Sequence, residues 1–164
     1  MFKIIKNFMK ALIVFLIGTF FLLAISKEYN DFSLHVCFLI CFFIHWIVYI
    51  PSAIFKTEKY YDLTGMMSFL SVVAVASMFV INKSGYIGIR SIVTILFLSI
   101  WTTRLGLFLF FRVIKKGEDK RFKKVKSNYS VFLIWWTMSG LWVFITSSNG
   151  IVTILNNSEI FNDL

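Results

Sequence analysis

The chain has 164 residues, of which 59% are apolar and 15% charged, and its mean hydropathy is +0.81. Ordinary soluble domains contain about 45–50% apolar residues, and their surfaces need more polar side chains than this chain supplies. Composition therefore excludes a soluble globular protein and favours one whose solvent is lipid. The formal net charge of +9 is also typical of proteins that bind nucleic acid, so the positions of the basic residues decide what it means.

Five continuous apolar runs predict five membrane-spanning helices. Each run approaches or exceeds the roughly 20 residues that a helix needs to cross about 30 Å of hydrocarbon. A transmembrane β-barrel would show alternating apolar and polar positions instead. We therefore expect an all-α, polytopic integral membrane bundle that forms a single membrane domain over residues 1–164. The predicted helices cover residues 8–25, 32–55, 63–81, 87–114 and 131–155.

The first and last runs need interpretation. Three lysines lie before and at the start of the first run, as in a secretory signal, but no small-x-small cleavage site follows it and further apolar runs come at once. We expect it to be retained as a helix. The last run contains the polar stretch 147–150, so its helix ends either near Thr146 or near Leu155.

The basic residues set the orientation. If the N-terminus is cytoplasmic, twelve Lys and Arg residues lie in cytoplasmic segments and only Lys27, Lys83 and Arg90 lie outside. Short cytoplasmic loops are enriched in Lys and Arg, so we predict that the N-terminus is cytoplasmic. The expected location is a bacterial inner membrane. This topology accounts for most of the charge without a nucleic-acid partner. Seven basic and two acidic residues in segment 115–126 predict contact with anionic head groups.

Arg104 lies deep in the fourth apolar run. A charge there costs about 2.5 kcal/mol or more on insertion scales, so it is expected to face a watery cavity or a partner. The candidate partners are Glu58, Asp62 and backbone carbonyls, and an ion pair that only fixes helix packing is the alternative. Arg112, nearer the cytoplasmic end, is expected to snorkel to the interface.

The segment between the second and third runs places two carboxylates beside two phenols. Glu58 and Asp62 are four residues apart, as are Thr57 and Tyr61. If this turn is helical, each pair shares a face, and a carboxylate beside a phenol is able to share a proton with a bound carbonyl oxygen. The alternative is an interfacial belt of Tyr with Asp62 or Thr64 capping the third helix.

Cys37, Cys41 and His45 recur every four residues in the second run and share one helical stripe. A structural zinc site needs about four ligands, and only His35 adds to the set. We therefore expect buried thiols and a packed imidazole, and no metal. Small residues in the third run predict a central helix that neighbours approach closely. They are Gly65, Ser68, Ser71, Ala74, Ala76 and Ser77.

Three segments in order resemble the steroid 5α-reductase-like membrane proteins, specifically a bacterial branch labelled as a domain of unknown function. They are Thr57-Glu-Lys-Tyr-Tyr-Asp-Leu-Thr-Gly65, Trp101-Thr-Thr-Arg-Leu-Gly-Leu-Phe-Leu-Phe-Phe-Arg112, and Lys116-Gly-Glu-Asp-Lys-Arg-Phe122 leading to Trp135, Trp136 and Leu141-Trp-Val-Phe144.

The resemblance implies a multi-helix reductase fold, related to the isoprenylcysteine carboxyl methyltransferases, that binds a lipophilic small molecule between helices. It also implies NADPH as hydride donor and a glutamate and a tyrosine that polarise the carbonyl of an enone. Glu58, Asp62 and Tyr61 are then the candidate catalytic residues, and Trp101 and Arg104 the candidate substrate-binding residues. Trp101 stands where that tyrosine is expected. Arg112, Asp119 and Arg121 are assigned to the membrane surface as structural residues.

The family's Arg-His-Pro-Asn-Tyr type segment, which serves the cofactor, does not occur in this sequence. We therefore expect the N-terminal part of a reductase-like oxidoreductase, inactive unless a C-terminal half completes it, with its cofactor-binding residues unassigned. The alternative is a non-enzymatic membrane subunit or carrier.

Overall fold

The structure, a computed structural model, describes residues 2–29 and 31–157, and this part of the chain folds into five α-helices without a β-strand. All five helices are long and apolar enough to cross a membrane. The predicted all-α, polytopic architecture is therefore confirmed. The helices are α1 (Phe2–Glu28), α2 (Phe32–Ile54), α3 (Tyr61–Ser84), α4 (Ile89–Lys116) and α5 (Tyr129–Asn156).

The helices are longer than the apolar runs at several ends. α1 begins at Phe2, and α4 continues to Lys116, because a helix does not stop where its side chains become basic. α5 also continues through the polar stretch 147–150. The Ser147 hydroxyl donates to the carbonyl of Val143 at 2.7 Å, so it is satisfied inside the helix. The end near Thr146 is therefore wrong, and the end near Leu155 is correct.

α5 is the central helix of the bundle and packs against all four others, whereas α3 packs against α2, α4 and α5. We expected α3 at the centre from its small residues. Glycines at the helix contacts determine which helix is central more than the number of small residues in a helix does. A Cβ on Gly140 would lie 3.1 Å from the carbonyl oxygen of Cys41, so the backbones of α5 and α2 approach closely there. The main core lies between α2, α3 and α5, and includes Cys37, Phe42 and Phe144.

The α4–α5 connection folds back onto one end of the bundle. Phe122 in this connection is 0% exposed and packs against the rings of Tyr61, Phe132 and Trp135. The start of α1, the α2–α3 turn and this connection meet at the same end, which we call the basic end because most Lys and Arg residues lie there. The connection is thus a packed element of the fold, not only a surface strip.

Candidate ligand-binding cleft at the basic end

A cleft opens between α4 and α5, with α3 as its floor. Away from the basic end α4 and α5 pack closely, and the Ser91 hydroxyl donates to the carbonyl of Ile154 at 3.3 Å. Nearer the basic end a cavity of about 390 Å³ lies between them. Trp101 and Trp142 at its rim are 48% and 67% exposed, so the cleft opens on the lateral surface of the bundle.

The walls of the cleft are mainly apolar and aromatic. α3 contributes Met66 and Phe69, and the polar hydroxyls of Thr102, Ser139 and Thr146 are scattered between the apolar groups. The remaining apolar lining residues are Trp101, Leu105, Leu109, Trp135, Met138, Trp142 and Val143.

The end of the cleft nearest the basic end is polar, and Tyr61, Asp62 and Arg121 form it. The Arg121 guanidinium lies 3.4 Å from the Asp62 carboxylate, and the Tyr61 hydroxyl donates to the carbonyl of Trp135 at 2.9 Å. Arg121 also donates through Nε to Asp119 at 2.9 Å. Hydrogen bonding from the Arg121 side chain is the main reason why the pKa of Asp119 is below its usual value. Asp119 is thus a carboxylate at neutral pH that holds Arg121 in place.

Arg112 completes this charged network. Its guanidinium lies 3.9 Å from Asp119, so two arginines face two carboxylates, Asp62 and Asp119. The snorkelling expected of Arg112 stays a prediction.

Glu58 lies outside the cleft, contrary to the paired arrangement expected with Asp62. Residues 57–60 form a turn and α3 begins only at Tyr61, so Glu58 and Asp62 do not share a helical face. The Glu58 carboxylate is 3% exposed and accepts from the Asp119 backbone N–H at 3.1 Å and from Lys126 at 2.9 Å. It therefore ties the α2–α3 turn to the α4–α5 connection.

The expected caps of α3 are also absent. No side chain caps its N-terminus, because the Thr64 hydroxyl donates backwards to the carbonyl of Tyr60 at 2.7 Å and Asp62 is engaged by Arg121.

Removing the partner of Glu58 is expected to loosen this tie. In Lys126→Met the buried carboxylate keeps only the Asp119 N–H, and losing a charged hydrogen bond of this kind costs about 1.5–3 kcal/mol. Because Lys126 is itself partly exposed, the lower half of that range is expected. Thermal unfolding in detergent measures the loss. The matched control is Lys124→Met on the same connection, and equal losses in both variants would contradict the assignment.

Arg104 does not line the cleft. It is exposed on the outer side of α4, beside a shallow depression that also involves Trp101, Leu105 and Phe108. The expected pairing with Glu58 or Asp62 is wrong, because Lys126 and Arg121 engage those carboxylates and Arg104 extends from the opposite side of its helix. Trp101 is shared between this depression and the cleft.

The stripe of Cys37, Cys41 and His45 is fully buried, as expected for thiols and an imidazole packed in the core. The His45 ring nitrogen Nδ1 lies 2.6 Å from the carbonyl of Cys41, so Nδ1 carries the proton that this bond requires. None of the three side chains reaches the cleft.

The sequence did not single out Met66, Ser139 or Trp142 as lining residues. One signal was present. Gly106 is a small residue in α4, and a Cβ there would lie 2.5 Å from the Cβ of Met66. The helices α4 and α3 are therefore in close contact at Gly106, and the cleft lies next to this contact. The apolar rim itself has no sequence signature, because lipid-facing and ligand-facing residues have the same composition.

The lining of the cleft offers no unpaired cation to the phosphates of a dinucleotide cofactor such as NADPH. These phosphates need cationic side chains or free helix N-terminal amides. The two arginines at the polar end are both paired with carboxylates, and Lys116 and Lys120 lie in a neighbouring depression outside the cleft.

Comparisons with known proteins identify the family. No curated protein and no solved structure matches the chain. The profile of a family described as "Protein of unknown function (DUF1295)" matches residues 45–163, which is most of the chain and includes every residue that lines the cleft. The chain is therefore a polytopic helical membrane protein that belongs to the DUF1295 family.

Proposed function

We propose that the chain is the lipophilic-substrate-binding part of a steroid 5α-reductase-like membrane oxidoreductase, and that an enone-type lipid binds in the cleft between α3, α4 and α5. The observation that carries the proposal is the lateral, apolar cleft with one polar end. Its volume of about 390 Å³ lies within the roughly 300–1,000 Å³ of small-molecule pockets. A lateral opening gives a bilayer-dissolved molecule direct access.

The polar end supplies groups that would orient a carbonyl. The Arg121 guanidinium is a hydrogen-bond donor at that end, and Asp62 holds it by an ion pair. The Tyr61 hydroxyl would become a second donor by exchanging its hydrogen bond to the Trp135 carbonyl for one to the ligand. A carbonyl oxygen that accepts from these donors loses electron density, and the conjugated alkene becomes more electrophilic. Trp101 and Phe69, whose rings lie 5.7 Å apart, would pack against the apolar body of the ligand.

NADPH would supply the hydride in this reaction. The lining of the cleft offers its phosphates no unpaired cation, so the proposal assigns its binding to a further segment or chain, and the chain alone is expected to bind substrate without reducing it. The same observation favours the second candidate, a non-enzymatic membrane carrier or subunit that binds the lipid without any reduction.

Substrate binding is tested with Gly65. A Cβ on Gly65 would meet only the Ser139 hydroxyl, at 4.0 Å, so Gly65→Leu fills the cleft without disturbing the helices. Progesterone, a lipophilic enone, is titrated into the reconstituted protein, and quenching of the cleft tryptophans is followed. We expect saturable quenching in the wild-type protein and in Gly65→Ala. In Gly65→Leu affinity should fall about tenfold or more, about 1.4 kcal/mol. Equal affinity in both variants would overturn the proposal.

Catalysis is tested separately. NADPH-dependent reduction of progesterone is measured in membranes that contain this chain alone and this chain with the C-terminal half of another DUF1295 protein. Reduction only in the second sample supports the reductase. Binding without reduction in either sample supports the carrier.

A further inference from the structure

The outer face of α4 is broad, apolar and without a partner in the described part of the chain. Phe97, Ile100, Phe108 and Phe111 along this face are 62–72% exposed. Apolar exposure alone is what a lipid-facing helix shows. Arg104, however, lies on the same face and at its centre, and a guanidinium is not a lipid-facing group.

Arg104 is too deep to reach a head group. It follows Ile89 by fifteen residues and precedes Lys116 by twelve, which is about 22 Å and about 18 Å along the helix axis at 1.5 Å per residue. The hydrocarbon core extends about 15 Å on each side of its centre. Helical side chains tilt toward the N-terminus, so Arg104 is directed away from the nearer end. Snorkelling serves residues near helix ends and does not serve this one.

The described chain offers Arg104 no counter-charge. None of the ion pairs or side-chain hydrogen bonds between described residues involves it; the six ion pairs use other residues. The only carboxylates within the five described helices are Glu28 and Asp62, which are the last residue of α1 and the second residue of α3. The described helices of a second copy therefore bring no carboxylate to the depth of Arg104, and a symmetric contact through this face would bring two arginines together.

We propose that the outer face of α4 binds a separate membrane-spanning helix that carries a carboxylate at mid-membrane depth, paired with Arg104. The depression beside Arg104, about 320 Å³ and lined by Trp101, Leu105 and Phe108, gives the incoming Asp or Glu side chain room between the helices. Pairing neutralises a guanidinium that is costly to place at the centre of a bilayer. Arg104 does not line the cleft, although Trp101 and Leu105 line both the cleft and this depression, so the test below is made without a ligand in the cleft.

The test uses the full chain in phosphatidylcholine vesicles with a synthetic membrane-spanning peptide of about 20 residues, rich in Leu and Ala, with one central Glu. Its control has Leu in place of Glu. Energy transfer from the labelled protein to the labelled peptide measures association. The Glu peptide should bind the wild-type protein about tenfold or more tightly than the Leu peptide, and Arg104→Leu should lose this preference. Arg104→Lys should retain most of it, because the charge stays. Both substitutions are on an exposed face and leave the packed core intact.

The position of the contact is tested by cysteine crosslinking. The native thiols Cys37 and Cys41 are buried, so an introduced cysteine reports alone. Phe108→Cys on α4 should crosslink to a peptide with a central cysteine next to Glu, and Leu16→Cys on the exposed side of α1 should not.

Four results would overturn the proposal. Equal binding of the Glu and Leu peptides, or a preference that survives Arg104→Leu, would show that the charge does not select the partner. Crosslinking of Phe108→Cys chains to each other without peptide would assign the face to a second copy. Loss of the Glu preference when anionic phosphatidylglycerol replaces zwitterionic phosphatidylcholine would show that an anionic head group reaches Arg104 instead.

Discussion

Phe122→Ala is expected to detach the α4–α5 connection from the basic end. Phe122 is 0% exposed, its ring centroid lies 4.6 Å from that of Tyr61, and truncation of a fully buried Phe costs about 3–5 kcal/mol. The loss acts on one local element, because the connection has few other apolar anchors. The population of the opened state should therefore rise about a hundredfold or more, since each 1.4 kcal/mol changes an equilibrium constant tenfold.

Trypsin measures this opening directly, because Lys120, Lys123 and Lys124 surround Phe122 and are exposed. The cleavage rate in this connection should rise with the opened population, while cleavage elsewhere stays unchanged. Phe55→Ala is the matched control, since Phe55 is at the same end of the bundle and 76% exposed. An unchanged cleavage rate in Phe122→Ala would contradict the packed connection.

The consequence for the cleft follows from the same contacts. Arg121 precedes Phe122 and reaches Asp62 only while the connection is docked. Detachment removes Arg121 from the polar end of the cleft, so progesterone binding should weaken together with the rise in cleavage. Phe122 therefore positions the polar end of the cleft through the connection, and is not itself a ligand-binding residue.

The sequence predicted the number and type of the helices because lipid imposes a simple rule: a spanning segment must be long, apolar and helical. It did not predict the packed α4–α5 connection. Segment 115–126 has seven basic residues, which led to a surface assignment, and one aromatic residue among them carried no local signal. Burial of Phe122 depends on rings from α3 and α5, which are distant in sequence.

The candidate site was predicted in part. Tyr61, Asp62 and Trp101 lie together in the cleft, whereas Glu58 and Arg104 do not. The prediction that Glu58 lies beside Asp62 was wrong. Residues four apart share a face only inside a helix, and α3 begins after Glu58. Depth in an apolar run predicts that Arg104 is costly to expose to lipid, but depth does not say on which side of the helix a residue lies. The side on which Arg104 lies follows from Gly106 and Thr102. These residues form the buried face of α4 that packs toward α3, and Arg104 lies on the other face.

Gly106→Leu is expected to separate α4 from α3 and to be the most damaging single substitution in the membrane-spanning part of the cleft. The Cβ alone would lie 2.5 Å from the Cβ of Met66. That atom is attached to the α3 backbone and does not move aside by rotation, so the helices have to shift. Overpacking costs typically 1–3 kcal/mol and occasionally more. The three further carbons of Leu place this variant at about 3 kcal/mol, measured as loss of thermal stability in detergent.

The pair Gly106→Ala and Gly65→Ala isolates the cause. Both replace a helical glycine by alanine, which by itself stabilises a helix by about 1 kcal/mol. Gly65 has open space at its Cβ and Gly106 does not, so Gly65→Ala should be neutral or stabilising and Gly106→Ala destabilising. Opposite signs would mean that close contact with Met66 holds α4 at its distance from α3. Equal effects would instead mean that the glycine at position 106 matters only through helix propensity, and the width of the cleft would then have to be set by α5 alone.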